Sequence, residues 1–122
     1  MNRYKKIKNT YFKICKENSN LICPQVNNSK VYFNNHGMNH LLRKNGRPRE
    51  YRQICIRISL LKYCKVILCS NDTKIEIRSE IRVGKLITYW GISKNISTNL
   101  FITVVVRKIG NGKMHFYSIF KK

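Results

Sequence analysis

Three histidines, His36, His40 and His115, are the only ones in this 122-residue chain, and their side chains have an unperturbed pKa of about 6.5, close to neutral pH. An imidazole that can take up and release a proton in one cycle suits acid/base chemistry on a phosphodiester, where the 2′-hydroxyl of RNA can serve as the nucleophile. Such a reaction also needs positive charge where the pentacovalent phosphorane develops negative charge, and Arg and Lys supply it. Here 25 Lys and Arg face 5 Asp and Glu, for a formal charge of +20. The carboxylates are Glu17, Glu50, Asp72, Glu76 and Glu80. An oxygen cage for Mg²⁺ or Ca²⁺ is hard to build from so few, which disfavours a two-metal nuclease. His36 and His40 are four apart and share a helix face, but no third metal ligand is evident, so no metal and no cofactor are expected.

The charge excess points to a polyanionic partner, because a strongly positive field concentrates phosphates and steers their encounter. Part of it has a blander source. Lys, Asn, Ile and Tyr are all abundant, as an AT-rich coding sequence would make them, and a ribosome-associated or merely solvated basic surface is the alternative. Cys15, Cys23, Cys55, Cys64 and Cys69 are an odd set without a Cys-x-x-Cys pair, so a zinc ribbon is not supported and free thiols in a reducing cytoplasm are expected. The basic N-terminus lacks an apolar signal region, and no stretch approaches the ~18 apolar residues of a membrane span.

The elements that must position these groups follow from periodicity. Residues 1–30 are polar, rich in Lys and Asn, and read as an appendage with at most a helical turn around Tyr11, Ile14 and Cys15. After Val31-Tyr32-Phe33, Asn34 or Asn35 caps a helix through His36 to Lys44, with Met38, Leu41 and Leu42 on one face. Gly46-Arg47-Pro48 ends it. A second helix runs from about Glu50 to Cys69, with a bend near Lys62-Tyr63. From Lys74 the period changes to two, and Ile75, Ile77, Ile81 and Val83 alternate with charged residues as in a half-buried strand. Gly84-Lys85 turns the chain into a strand through Leu86 to Ile92, and Leu100 to Ile109 is a central strand. Asn111-Gly112 signals a tight hairpin, and Met114 to Phe120 is the fourth strand. Helices followed by strands imply an α+β domain, an antiparallel meander of four strands with helices packed on it.

That hairpin makes His115 the most suggestive of the three histidines. A two-residue loop sets Lys108 opposite it, and a three-residue loop with a bulge sets Arg107 there, so either register puts a cation beside an imidazole. Ser118 reaches the same face as His115 only through a bulge or at a sheet edge. His40 and His115 could equally be ordinary hydrogen-bonded histidines. Tyr89-Trp90 and Phe116-Tyr117 could stack bases, although aromatic residues in strands are more often core.

Val31-Tyr32-Phe33, Gly37-x-x-His40, Arg57-x-x-Leu60-Leu61, Ile77-Arg78, Tyr89-Trp90, Val104 to Arg107 and Gly112 to Ile119 together resemble the phage-associated barnase, EndoU, colicin and RelE-like (BECR-fold) nucleases. The resemblance covers residues 31 to 120, and the closing hairpin is its most specific part. It implies a metal-independent endoribonuclease used as a toxin or in conflict between phage and host, with residues 31–122 as the nuclease domain. It further implies catalytic roles for His40, Arg78, Arg107, His115 and Ser118. The two histidines would be the acid/base pair, the arginines would hold the scissile phosphate, and Ser118 would bind a phosphate oxygen or orient a histidine. Arg43, Arg57, Trp90, Lys108 and Lys113 would contact flanking RNA, which could be tRNA or mRNA. An acidic immunity or antitoxin protein is the implied inhibitor. The competing expectation is a basic protein that binds nucleic acid without cutting it.

Overall fold

Helix α1 (Arg3–Glu17) opens the chain. In the computed structural model, which describes residues 3–121, its Ile7 and Tyr11 are buried, four residues apart and therefore on one face. Two small antiparallel hairpins follow, β1 (Ile22–Cys23) with β2 (Ser29–Lys30) and β3 (Arg43–Lys44) with β4 (Arg47–Pro48), and helix α2 (Asn35–Leu42) lies between them in the chain. Helix α3 (Tyr51–Leu60) runs through a 3₁₀ turn at Leu61–Tyr63, where the sequence predicts a bend, into the short α4 (Cys64–Leu68). Then β5 (Lys74–Arg82), β6 (Lys85–Ser97), β7 (Leu100–Ile109) and β8 (His115–Lys121) form an antiparallel sheet in chain order. The fold is the expected α+β meander. Among the described residues no helix is long and apolar enough to cross a membrane.

The core forms where Ile92, Val104, Val106, Phe116 and Ile119 of the sheet meet Tyr11, Met38, Leu41, Leu61 and Ile67 of the helices. This corrects the expectation that residues 1–30 are an appendage. Tyr11 is 0 % exposed, and Leu21, Cys23 and Val26 are buried in the same core. The Tyr11 hydroxyl donates to the Asn34 carbonyl at 2.7 Å, and the Asn34 side chain in turn caps α2 by accepting from the His36 amide at 3.0 Å. The first helix therefore holds the start of the second.

Two turns also differ from expectation. The β7–β8 connection is not a two-residue Asn111-Gly112 loop; the left-handed residue is Gly110 (φ 53°), its amide donating to the Leu86 carbonyl at 2.7 Å, and Met114 is buried. The β5–β6 turn is Val83-Gly84, with Arg82 paired to Lys85 and both turn residues left-handed (φ 50° and 74°). Two left-handed positions suit Asn-Gly, whereas a β-branched residue there is strained by roughly 1–2 kcal/mol. Val83 is 100 % exposed, so nothing in packing compensates. Val83→Asn is therefore expected to stabilise the protein by about 1 kcal/mol, read as a raised urea midpoint. A lowered midpoint would contradict the turn assignment.

Candidate active site

Helix α2 packs against β8, the last strand of the sheet, and brings all three histidines into one cluster. The His36 ring stacks on His115 at 4.8 Å between centroids, and one turn later the His40 ring stacks on Tyr117 at 4.1 Å. In β8 a bulge makes the second contact available. Val106 pairs with Phe116 and Val105 with Ser118, which leaves Tyr117 as the extra residue. The same bulge puts Ser118 on the face of His115, one of the two arrangements the spacing of the two residues allowed.

Arg107 is the hub. It lies opposite His115 in the ladder, the register that needs the longer turn. Its Nε donates to His115 Nε2 at 3.1 Å, its Nη2 lies 3.2 Å from His36 Nδ1, and its guanidinium carbon sits 4.2 Å from the Tyr117 ring centre. Arginine can only donate, so these contacts put lone pairs on His115 Nε2 and His36 Nδ1. Arg49 treats His40 likewise, donating from Nε to the His40 carbonyl at 2.9 Å and approaching His40 Nε2 at 3.3 Å.

Burial, reinforced by nearby cations, sets the protonation of two rings. Burial first, then Arg49, Arg57, Arg107 and Lys44, lowers the His40 pKa to about 4. Burial and then Arg107 lower His115 to about 4, with His36 adding to the shift and a contact to the Lys113 carbonyl opposing it. Both rings are neutral at pH 7. None of the three ion pairs among the described residues (Lys74–Glu76, Arg82–Glu80, Lys94–Asp72) involves a residue of this cluster. The cluster is a cationic hollow with no carboxylate ion-paired to it among the described residues.

These depressed values make a stability prediction. The unfolded chain binds protons at both rings near pH 6.5 and the folded chain only near pH 4, so protonation favours unfolding between those limits. Stability is complete above about pH 6.5 and declines as pH falls through the window. A loss of roughly 2 kcal/mol between pH 7.5 and 4.5 is expected, well below the unscreened value because the hollow is open to water. Urea titrations at the two pH values measure it, and His40→Gln with His115→Gln should flatten the slope.

His36, Asn39, His40, Arg43, Arg107 and Tyr117 line the open cleft, with Asn45 and Gly46 of the β3–β4 turn at its rim. Of the expected catalytic residues, His40 and Arg107 are on its wall. His115 is 4 % exposed and sits beneath Arg107. Ser118 is equally buried, and its Oγ accepts from Arg57 Nη1 at 2.9 Å, an arginine that also holds the Ile119 carbonyl. Arg57, expected to contact RNA, is thus committed to β8. Arg78 lies on the far strand with its guanidinium 4.6 Å over the Tyr89 ring, lining a separate depression on the open face of the sheet. Its cross-strand row, Arg78, Tyr89, Arg107 and His115, does lead to the cleft. Arg43 lines the cleft, whereas Trp90, Lys108 and Lys113 line a different recess.

Sequence reasoning missed His36 as a member of the site, together with Arg49, and weighed Tyr117 only as a base-stacking or core residue. The spacing of His36 to His40 was a signal for the first; Arg49 depends on the β3–β4 hairpin, and Tyr117 on the bulge. No protein-family model matches the chain, and no curated protein and no solved structure is significantly similar to it.

Proposed function

We propose that this protein is a metal-independent endoribonuclease that cleaves RNA through attack of the 2′-hydroxyl on the adjacent phosphorus. The observation that carries this reading is that His36, His40 and Arg107 line one cleft whose lining has no carboxylate, with His115 buried beneath Arg107. In the free protein, imidazole nitrogens face Nε and Nη2 of Arg107 and Nη2 of Arg49. An incoming phosphodiester offers those guanidinium groups better acceptors and releases the imidazole nitrogens for proton transfer.

His36 then takes the proton of the 2′-hydroxyl as its oxygen bonds to phosphorus. His40, whose protonation the phosphate's negative charge favours, gives a proton to the 5′-oxygen as the P–O5′ bond breaks. The products are a 2′,3′-cyclic phosphate and a free 5′-hydroxyl. His115 positions Arg107 and does not touch the substrate in this scheme. Arg43 holds a neighbouring phosphate. The resemblance to the BECR-fold nucleases agrees with this chemistry while favouring His115 over His36 as the second acid/base group. Free thiols at all five cysteines fit a reducing cytoplasm, and an acidic inhibitor protein fits the charge.

The test is incubation of purified protein with end-labelled single-stranded RNA in EDTA. Cyclic phosphate ends are expected, with rates reduced roughly 10²–10⁴-fold in His36→Ala and His40→Ala. Because His40 must be protonated against surrounding guanidinium groups, kcat/KM should be higher near pH 5.5 than near pH 8. The second reading, binding without cleavage, is favoured by one observation: every imidazole of the cluster already faces an arginine donor. Intact RNA in a tight, salt-sensitive complex would establish it.

A further inference from the structure

Beside the β7–β8 turn lies a recess framed by Lys30, Tyr32, Trp90, Lys108 and Lys113. The Lys30 and Lys113 ammonium groups sit 4.9 and 4.7 Å from the centre of the same Tyr32 ring. None of the three lysines takes part in an ion pair among the described residues. Trp90 is only partly buried and lines the recess. Three ammonium groups beside two aromatic rings match what a single-stranded nucleic acid offers, phosphates spaced along a chain of flat bases. An acidic protein surface would answer the charge but leave Trp90 unused, the Tyr32 ring being held already by Lys30 and Lys113.

The recess is tied to the cleft through the backbone. The Tyr32 amide donates to the Met114 carbonyl at 3.0 Å and the Phe116 amide to the Tyr32 carbonyl at 2.8 Å, so Tyr32 is stitched to the residues on both sides of His115. Lys113, whose ammonium enters the recess, has its carbonyl 3.4 Å from His115 Nδ1. We propose that the recess is a second station for single-stranded RNA, taking three phosphates, one for each lysine, and a base beyond the cut as the strand passes over the β7–β8 turn. This deepens the endoribonuclease reading and rests on it for the direction of the strand, but not for binding itself.

Trp90 is the only tryptophan in the chain, so its fluorescence reports on the recess directly. The probe is a 2′-deoxy oligothymidylate, which lacks the nucleophile and cannot be cleaved by the proposed route, titrated in EDTA at several salt concentrations. Quenching of Trp90 is expected. The Lys30→Gln, Lys108→Gln, Lys113→Gln triple variant should bind at least tenfold more weakly, with a salt slope shallower by about 2, from roughly 0.7 per lost phosphate contact. Thermal melting of the variant checks that it folds. Saturable binding without quenching, or a triple variant that binds like wild type, would overturn the proposal. Polyglutamate quenching Trp90 as strongly as the oligonucleotide would also overturn it and assign the recess to an acidic protein. Quenching and the lysine effect in a protein that cuts no RNA would leave the station standing and remove the cleavage reading.

Discussion

Arg107→Lys is expected to reduce RNA cleavage by about 10²–10³-fold without unfolding the protein, although it preserves the charge. The reason lies in the shape of the group. Its Nε holds His115, its Nη2 meets His36, and its planar carbon lies over Tyr117. A lysine ammonium is a point charge with no fork and no plane, so it can take up at most one of these duties at a time. Phosphate attraction would survive in part, since Arg43 and Arg49 remain near the cleft, and RNA binding should weaken only a few fold. The expected signature is therefore a fall concentrated in kcat, measured beside an unchanged far-ultraviolet circular dichroism spectrum and melting temperature. A variant within tenfold of wild type would mean that Arg107 contributes charge alone, and the geometric account of the cluster would fail.

The site was legible in the sequence as far as residue type and ladder register could carry it. Arg107 opposite His115 was one of two registers the turn allowed, and the structure has it. A bulge was one of two ways to place Ser118 with His115, the other being a site at the sheet edge, and it occurs at Tyr117. What spacing could not show is depth. His115 and Ser118 look like surface groups in an alternating strand, yet α2 and Arg57 cover them, because β8 is the sheet's last strand and receives both helices there. Helical spacing placed His36 beside His40 on one face, but whether that face meets a strand or solvent depends on a packing contact distant in the chain.

Helices α2 and α3 and the four long strands were read well because each has a strong period, and the errors fell where the period is diluted or a turn decides. In α1 the apolar positions Ile7, Tyr11, Ile14 and Cys15 are separated by Lys, Asn and Thr, which made a buried helix look like a polar tail. The Asn-Gly pair at 111–112 carried a hairpin signal that burial of Met114 and the bond from the Gly110 amide overrode. The Asn45-Gly46 pair is the one that forms a two-residue hairpin, with both residues left-handed at φ 54° and 76°, and it turns Arg49 back under the end of α2.

Gly37→Ala provides the most direct test of how the cluster is built. Judged by helix propensity alone, the substitution should help by about 1 kcal/mol, since Gly37 lies in the first turns of α2. Contacts decide otherwise. A Cβ there would come within 2.5 Å of both Phe116 Cδ2 and the Tyr11 hydroxyl, and 2.9 Å from the Phe116 carbonyl. Tyr11 and Phe116 are fully buried, and one of the three obstructing atoms is backbone, so none can swing aside. Helix α2 must lift from β8 instead, and the stacked pairs His36 with His115 and His40 with Tyr117 are the contacts that open. Overpacking of this kind costs about 3 kcal/mol, and a displacement near 1 Å at the reacting groups can cost about 10²-fold in rate. The expected result is a lowered urea midpoint together with a specific activity, measured under conditions where the variant is fully folded, that falls far more than the population of folded molecules. Equal stability and equal activity would mean that the helix does not approach the strand this closely, and the histidines would lose the element that holds them together.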